Sequence, residues 1–226
     1  MRKTLGFFAL TAMTTTLFAA SKDEVNKRLD EAATVFSEIT AASDKGIPQD
    51  LLEKAHCAVI VPGMKKGAFI VGAQYGKGFL TCRQKGGDGW SAPAAIKVEG
   101  GSVGFQIGGS ETDVVMLVMN ERGAQKLMES QFTLGGEGEV AAGPVGRTAT
   151  AETDAKLRAE MLSWSRTRGV FAGISLKGAT LRADQEDNEA LYGKKMETKE
   201  VINGKVAPNA AGRRLTDMLG KYAFRG

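Results

Sequence analysis

Glycine is concentrated in the middle of this 226-residue chain, where it interrupts runs of apolar residues. Nineteen of the 29 glycines lie between Gly63 and Gly146, many of them inside strand-like patterns. Glycine within a strand marks a bulge, a sharp bend or a close approach of two backbones. Apolar residues alternate through the same region, which excludes a flexible glycine-rich linker. The pattern therefore predicts a strongly curved, barrel-like sheet.

Short apolar segments separated by turn residues are the strand candidates of this region. They cover residues 58–61, 68–71, 78–81, 94–98, 102–107 and 113–118, with Pro62-Gly63 ending the first, and further candidates lie within 135–146 and 157–176. The connections are too short for the crossover helices that parallel pairing requires. We therefore expect an antiparallel sheet.

Amphipathic helices are predicted on both sides of the glycine-rich region, which makes the fold class α+β. Residues 22–42 carry apolar side chains at three- and four-residue steps, and residues 209–222 place Leu215, Leu219 and Tyr222 on one face. Shorter helices are predicted at 49–55, 121–130 and 184–191. The polar segment between Gly193 and Pro208 is predicted to be a loop.

The first 20 residues have the three parts of a secretion signal. Arg2 and Lys3 precede an apolar run, and small residues follow at 19–21. Cleavage after Ser21 would leave Ala at the −3 position, whereas cleavage after Ala20 would leave Phe18 there. We expect export to the periplasm with removal of this signal and one domain over 21–226, whose core is 22–193. An uncleaved N-terminal anchor is the alternative.

Charge is unevenly distributed along the chain. The formal net charge is +4, and loss of Arg2 and Lys3 would lower it to +2. No acidic residue lies between Glu53 and Asp88, a stretch that contains Lys65, Lys66, Lys77, Arg83 and Lys85. A basic zone on a nearly neutral protein indicates a local anionic partner rather than nucleic acid.

No catalytic or metal-binding pattern is present in the sequence. His56 is the only histidine, and Cys57 and Cys82 are the only cysteines, so four zinc ligands are not available in a recognisable spacing. The two cysteines fit either one disulfide in an oxidising compartment or two buried thiols. Trp90 fits a core position better than a membrane-dipping one. We expect neither enzyme activity nor a cofactor.

A series of ordered motifs resembles the SYLF domain family. They are the segments at 47–55, 57–62, 66–72, 75–78, 89–93, 101–108 and 165–173, together with Thr112-Asp113, and the similarity runs from about Lys22 to Gly193. The resemblance implies a lipid-binding module that uses an N-terminal amphipathic helix and nearby basic residues. It also implies actin binding in yeast members, which we do not expect of an exported protein.

The resemblance and the charge pattern together give a set of candidate lipid-binding residues. They are Lys27, Arg28, Lys65, Lys66, Lys77 and Arg83. Lys27 and Arg28 lie in the segment 25–40 that corresponds to the family's amphipathic helix, although Asp30, Glu31 and Glu38 make this helix acidic. The expected partner is an anionic phospholipid. The alternative is a scaffolding protein of the cell envelope that binds a protein partner.

Overall fold

A computed structural model describes residues 21–42, 46–68, 72–84, 86, 89–102, 108–136, 140–144, 159–167, 170–174, 176–204 and 206–223. The predicted signal at 1–20, most of the predicted strand at 102–107 and residues 69–71 lie outside these residues.

The described residues form six helices and nine strands. The helices are α1 (Lys22–Ala41), α2 (Gln49–Lys54), α3 (Glu121–Leu127), α4 (Gln185–Tyr192), α5 (Thr198–Asn203) and α6 (Ala210–Tyr222). The strands are β1 (Cys57–Ala68), β2 (Gly72–Cys82), β3 (Ala94–Ser102), β4 (Gly108–Val118), β5 (Gln131–Thr133), β6 (Val140–Ala142), β7 (Met161–Thr167), β8 (Val170–Gly173) and β9 (Ala179–Ala183). The predicted α+β class, with amphipathic helices at both ends, is confirmed.

The strands form one sheet that curls into a half-barrel, in the order β5-β9-β3-β2-β1-β4-β7-β6, with β8 also paired to β7. Neighbouring strands are antiparallel, except that β6 and β7 are parallel, which the sequence analysis did not predict. β1 pairs with β2, β3 pairs with β2 and β4 pairs with β1, all antiparallel. The end of β1, the start of β2, the end of β3 and the start of β4 therefore lie at the same end of the sheet.

One face of the sheet, called here the helix face, is covered by α1, α2, α4 and α6. Ser21 is the N-cap residue of α1, and its hydroxyl accepts a hydrogen bond from the backbone N–H of Glu24 at 3.2 Å. The apolar face of α1 is fully buried against the sheet and α6, through Val25, Leu29, Ala32, Ala33, Val35, Phe36 and Ile39. Burial of such a stripe supplies most of the stability of a surface helix.

The opposite face, called here the inner face, is covered by α3, α5, β5 and β9. Its core contains Val59, Val61 and Met64 of β1 and alternate residues of β2, β3 and β4. Cys57 and Cys82 pair across β1 and β2 at the edge of this core and are joined by a disulfide bond. The disulfide alternative for these two cysteines is therefore the one that the structure contains.

Two local predictions were wrong. β1 continues through Pro62-Gly63 instead of ending there, because a bulge absorbs the two residues. The segment predicted as a loop before Pro208 contains α5, which begins at a capping box in which Glu200 Oε2 accepts a hydrogen bond from the backbone N–H of Glu197 at 2.9 Å. Its apolar residues Val201 and Ile202 are adjacent, so they do not show the three- and four-residue spacing that indicates a helix.

The bulge in β1 adds one residue relative to the neighbouring strand β4. Val61 pairs with Val114 and Met64 pairs with Thr112, so three steps along β1 match two steps along β4. Gly63 lies in this bulge with φ of +56°, a left-handed conformation that costs a residue with a side chain roughly 1–2 kcal/mol. The glycine at this position therefore permits the change of register.

Candidate functional site

Two buried carboxylates at the start of α4 bind cations from α1 and β2. Lys77 Nζ lies 2.7 Å from Asp184 Oδ2 and 3.0 Å from Asp187 Oδ1. Arg28 of α1 donates to the other oxygen of Asp187. The carboxylate side chains are 4% and 1% exposed, whereas both cations are 23% exposed. This cluster joins α1, β2 and α4. Two of the six predicted lipid-binding residues, Arg28 and Lys77, therefore form internal ion pairs.

The surroundings of Lys77 favour its charged form. Burial is the largest single influence on its pKa and lowers it, but the hydrogen bonds that Lys77 donates to Asp184 and Asp187, together with their negative charges, outweigh burial. The pKa of Lys77 is therefore raised above its ordinary value, and the ammonium group is held inside the protein rather than presented to a ligand.

Arg83 also has an internal role. Its guanidinium donates to the backbone carbonyl oxygen of Ala55 at 2.8 Å and to that of Ala223, which satisfies carbonyl groups at the ends of α2 and α6. The same guanidinium lies 4.7 Å from the ring centroid of Trp90, a cation–π contact. Trp90 is 8% exposed and belongs to the helix-face core, as the sequence analysis preferred.

The second half of α1 is held by a further ion pair. Arg166 of β7 contacts Glu38 of α1, and its other nitrogen lies 2.7 Å from Asp113 Oδ2 on β4. Lys27 differs from Arg28, because its side chain is 80% exposed and is 3.9 Å from Glu31 one turn along the helix. Of the two predicted lipid-binding residues on α1, only Lys27 is at the surface.

The strands β1–β4 end in a region that is rich in glycine and other small residues, called here the glycine end of the sheet. It contains Lys65, Lys66, Gly67, Ala73, Gln74, Tyr75, Gly100, Gly101, Gly109 and Ser110. Most of these residues are exposed, including Tyr75 at 45%, and a Cβ atom added at Gly67 would contact nothing within 4 Å. The surface of the sheet is therefore accessible here to a large ligand.

Lys65 and Lys66 lie on opposite faces of the glycine end. Before the bulge, Val59 and Val61 face inward, so strict alternation would put Lys65 on the inner face. After the bulge, Met64 faces inward. Lys66, two residues further on, therefore lies on the inner face, and Lys65 lies on the helix face. The two lysines do not form one patch.

The two faces of the glycine end carry different charges. On the helix face, Lys65 pairs across the strands with Tyr75 and Glu111, and Tyr75 pairs with Glu99. On the inner face, Lys66 pairs with Gln74 and Ser110, and Gln74 pairs with Gly100. Acidic residues thus flank Lys65, whereas the row across the four strands that contains Lys66 has none.

Gln74 and Ser110 of the glycine end, and Lys177 close to it, were not among the candidate residues predicted from the sequence. Lys177 is exposed and stands two residues before Ala179, which pairs with Gly100. The only sequence signal for Gln74 and Ser110 was that they lie close to the motifs at 66–72, 75–78 and 101–108. Their position beside Lys66 depends on the bulge and on strand register.

A second concave region, at the opposite end of β1 and β2, is a half-open cleft of about 1600 Å³ between α3, α5 and the disulfide. His56, Gln84, Gln125, Met128 and Lys199 are among its lining residues. No group of three or more potential metal ligands occurs in the part of the chain that the structure describes. Among those same residues, no helix has the length and apolarity needed to cross a bilayer.

The chain is thus an α+β domain in which helices cover a half-barrel sheet and buried carboxylates form internal ion pairs. The chain belongs to the Ysc84 family, the family that the SYLF resemblance indicated. The family model, described as "Las17-binding protein actin regulator", matches residues 99–222, more than half of the chain.

Similar proteins are found in fungi and vertebrates. The SH3 domain-containing protein PJ696.02 of Schizosaccharomyces pombe is 36% identical over 82% of this chain and 43% of its own length. LAS seventeen-binding protein 3 of Saccharomyces cerevisiae is 33% identical over 80% of this chain and 40% of its own. The SH3 domain-containing YSC84-like protein 1 of Xenopus laevis is 33% identical over 85% of this chain and 59% of its own. The chain therefore spans about half the length of these relatives.

Proposed function

We propose that this chain is an exported, non-enzymatic module that binds anionic phospholipid through the glycine end of its sheet. The observation that carries the proposal is that Lys65 and Lys66 have no ion-pair partner among the described residues, whereas Arg28, Lys77 and Arg83 bind internal carboxylates or carbonyl groups. A lysine near an anionic membrane surface contributes about 1 kcal/mol to binding. Cations without an internal partner are the ones available for this interaction.

Three further features of the glycine end support a membrane contact. Lys177 adds an exposed cation beside β3. Tyr75 is an exposed aromatic residue, a type that is enriched where protein meets the membrane interface. The small residues around Gly67 and Gly109 leave the surface of the sheet unobstructed here for a headgroup.

The N-terminal helix is less suited to this role than the family resemblance implies. Insertion of its apolar face into a bilayer would require Phe36 and its neighbours to leave the helix-face core. It would also separate Arg28 from Asp187 and Glu38 from Arg166. The proposal therefore assigns membrane contact to the sheet and a packing role to α1.

Export to the periplasm is part of the proposal. The signal-like residues 1–20 support it, and so does the disulfide, since disulfide bonds persist in oxidising compartments. Mass spectrometry of the periplasmic protein tests it, with a mature chain expected to begin at Ser21 or Lys22. A periplasmic product that retains Met1 would contradict cleavage.

A protein partner is the alternative, because the family description and the yeast relative's name refer to binding of Las17. The apolar side of α6, which carries Leu215, Leu219 and Tyr222, is one surface on which such a partner could dock. Leu215 and Leu219 are fully buried in this domain, and the Tyr222 ring lies 6.4 Å from that of Phe36. A protein partner would thus have to use another surface, such as the cleft between α3 and α5.

Flotation with vesicles tests the lipid proposal. The mature protein is mixed with phosphatidylcholine vesicles, with and without phosphatidylglycerol, at low and at physiological salt. We expect binding to the anionic vesicles only, and weaker binding at the higher salt. The double variant Lys65→Met/Lys66→Met should lose about 2 kcal/mol, on the order of thirtyfold in partitioning.

The matched control is Lys195→Met/Lys199→Met, which removes the same charge from exposed positions away from the glycine end; Lys199 lines the opposite cleft. This control should retain most of the binding. An equal loss in both double variants, or no binding of the wild type to anionic vesicles at low salt, would overturn the proposal and favour a protein partner.

A further inference from the structure

The inner face of the glycine end contains a row of four residues, one from each of four adjacent strands. Gly100 of β3, Gln74 of β2, Lys66 of β1 and Ser110 of β4 are directly paired in that order. Paired residues in neighbouring antiparallel strands have Cβ atoms roughly 4.5–5.5 Å apart, so Gln74 and Ser110, on either side of Lys66, are close enough to reach a small group bound at its ammonium.

Lys66 is partly buried in this row and has no hydrogen bond or ion pair with any residue that the structure describes. Burial without a counter-charge lowers the pKa of Lys66. A buried cation normally has a partner, since removing its hydration has a large free-energy cost. The ammonium group of Lys66 is therefore available to an anion that approaches this face.

Gln74 is the second unusual residue of the row. It is 6% exposed, and its side-chain amide makes no hydrogen bond within the described part of the chain. Its Nε2 atom lies 3.1 Å from the position that a Cβ atom of residue 100 would occupy, and the Ala179 Cα atom lies 2.9 Å from the same position. Glycine at position 100 thus leaves room for the side-chain amide of Gln74. Ala179 of β9 lies next to the same space.

We propose that Lys66, Gln74 and Ser110 form a subsite that binds a phosphate oxyanion on the inner face of the sheet. An ammonium, an amide N–H and a hydroxyl are all donors, and they match a group whose oxygens only accept hydrogen bonds. Lys65 does not contribute, because it lies on the other face between Glu99 and Glu111. The inference rests on the proposed function where the phosphate belongs to a lipid headgroup, and a soluble phosphate ester presents the same chemistry.

The test uses the mature protein and two probes. Inorganic phosphate is titrated at constant ionic strength while the side-chain amide resonance of Gln74 and the Nζ resonance of Lys66 are followed by NMR. Binding to phosphatidylglycerol-containing vesicles is measured in parallel. The variants are Lys66→Met and Gln74→Met, and Lys65→Met is the matched control. Circular dichroism and the urea midpoint confirm that each variant is folded.

We expect phosphate to shift both resonances and Lys66→Met to weaken phosphate binding by at least about tenfold, as for loss of a charge-assisted hydrogen bond. Gln74→Met should weaken it by severalfold, and Lys65→Met should leave it unchanged. Vesicle binding should fall most in Lys66→Met, which loses both a surface charge and the subsite contact, and about fivefold in Lys65→Met, which loses a surface charge alone. Since Lys66 has no internal partner, its replacement should not lower the urea midpoint.

The other outcomes separate the subsite from the proposed function. Vesicle binding that falls equally in Lys65→Met and Lys66→Met, with no phosphate effect at Gln74, would overturn the subsite and leave lipid binding standing. Phosphate binding that depends on Lys66, without any binding to anionic vesicles, would support the subsite for a soluble ligand and overturn the lipid proposal. Absence of both would overturn both.

Discussion

Arg28 of α1 and Asp187 of α4 are 159 positions apart in the sequence, yet they form an ion pair in which the carboxylate side chain is 1% exposed. Lys77 contacts the second oxygen of the same carboxylate at 3.0 Å. Asp187 therefore connects the N-terminal helix, a central strand and a helix near the C-terminal end of the fold. This arrangement makes the N-terminal helix part of the core rather than an appendage.

Replacement of Asp187 by Asn should destabilise the fold strongly. The variant leaves Arg28 partly buried without its carboxylate, and removal of one partner of a buried ion pair costs about 3 kcal/mol or more. The midpoint of urea unfolding measures the loss. Asp30→Asn is the control, because Asp30 and Arg214 pair at 3.0 Å with both side chains about half exposed, and it should cost less than about 1 kcal/mol. Similar midpoints for the two variants would contradict a structural role for the cluster.

Lys77 should give the stability a dependence on alkaline pH. Its folded-state pKa lies above the ordinary 10.5, because the hydrogen bonds and charges of Asp184 and Asp187 outweigh the opposing effect of burial. A raised lysine pKa contributes stability that is fully present below 10.5 and is lost as the pH rises through the folded-state value. The free-energy difference between the wild type and Lys77→Met should thus be constant below pH 10.5 and shrink above it. A difference that shrinks well below that pH would be the contrary result.

The sequence predicted the elements of this fold more accurately than the roles of its charges. Period-3.6 and period-2 patterns depend on local residues, and they correctly indicated α1, α6 and most of the central strands. The ion pairs of Arg28 and Lys77 depend on α4 docking more than 100 residues away, which no local pattern records. A cation in a stretch without acidic residues therefore looked exposed when its partners lay far along the chain.

The face occupied by Lys66 illustrates the same limit on a smaller scale. Alternation from Val59 and Val61 would place Lys65 on the inner face, and one inserted residue at Gly63 reverses this. Pro62-Gly63 was visible in the sequence, but it also fits a turn that ends a strand. The two possibilities differ only in whether the chain continues in the same sheet, which is decided by pairing with β4.

Gly63 should tolerate substitution poorly. Gly63→Ala should cost roughly 1–2 kcal/mol, because alanine is strained at φ of +56° and its Cβ would approach Glu111 Oε1 to 2.7 Å. Gly67→Ala is the matched control on the same strand, since a Cβ there contacts nothing within 4 Å. Urea unfolding of the two variants gives the comparison. If the bulge is what places Lys66 on the inner face, Gly63→Ala should also weaken phosphate binding at Lys66. Equal stability of the two variants would argue against the bulge.

The Cys57–Cys82 disulfide should stabilise the oxidised protein. It closes a loop with a sequence separation of 25 residues, for which the loss of chain entropy in the unfolded state predicts about 3 kcal/mol. Urea midpoints of the oxidised protein and of Cys57→Ala/Cys82→Ala measure this difference. Thiol titration of the denatured, unreduced protein should find no free thiol, and two free thiols would rule out the bond.

Phe36 separates the two models of membrane binding, one through α1 and one through the glycine end. Its side chain is fully buried and contacts Tyr222 of α6, so Phe36→Ala should cost about 3–5 kcal/mol of stability. Phe36→Leu keeps most of the volume and should cost about 1 kcal/mol, which preserves a folded protein if the alanine variant does not fold. Urea unfolding measures both losses, and flotation with anionic vesicles measures binding by the folded fraction.

If the glycine end contacts the membrane, the folded fraction of either Phe36 variant should bind anionic vesicles as the wild type does, because α1 stays in the core. If α1 leaves the core and inserts, Phe36→Ala should weaken binding through the loss of apolar contact, since each buried methylene is worth about 0.8 kcal/mol. The same model predicts that a less stable core releases α1 more easily. This effect opposes the loss of apolar contact in Phe36→Ala and should dominate in Phe36→Leu, which keeps most of that contact and should bind more strongly. Unchanged binding in both Phe36 variants, together with lost binding in Lys65→Met/Lys66→Met, is the result expected here. Altered binding in the Phe36 variants with retained binding in the lysine variant would assign the membrane contact to α1 instead.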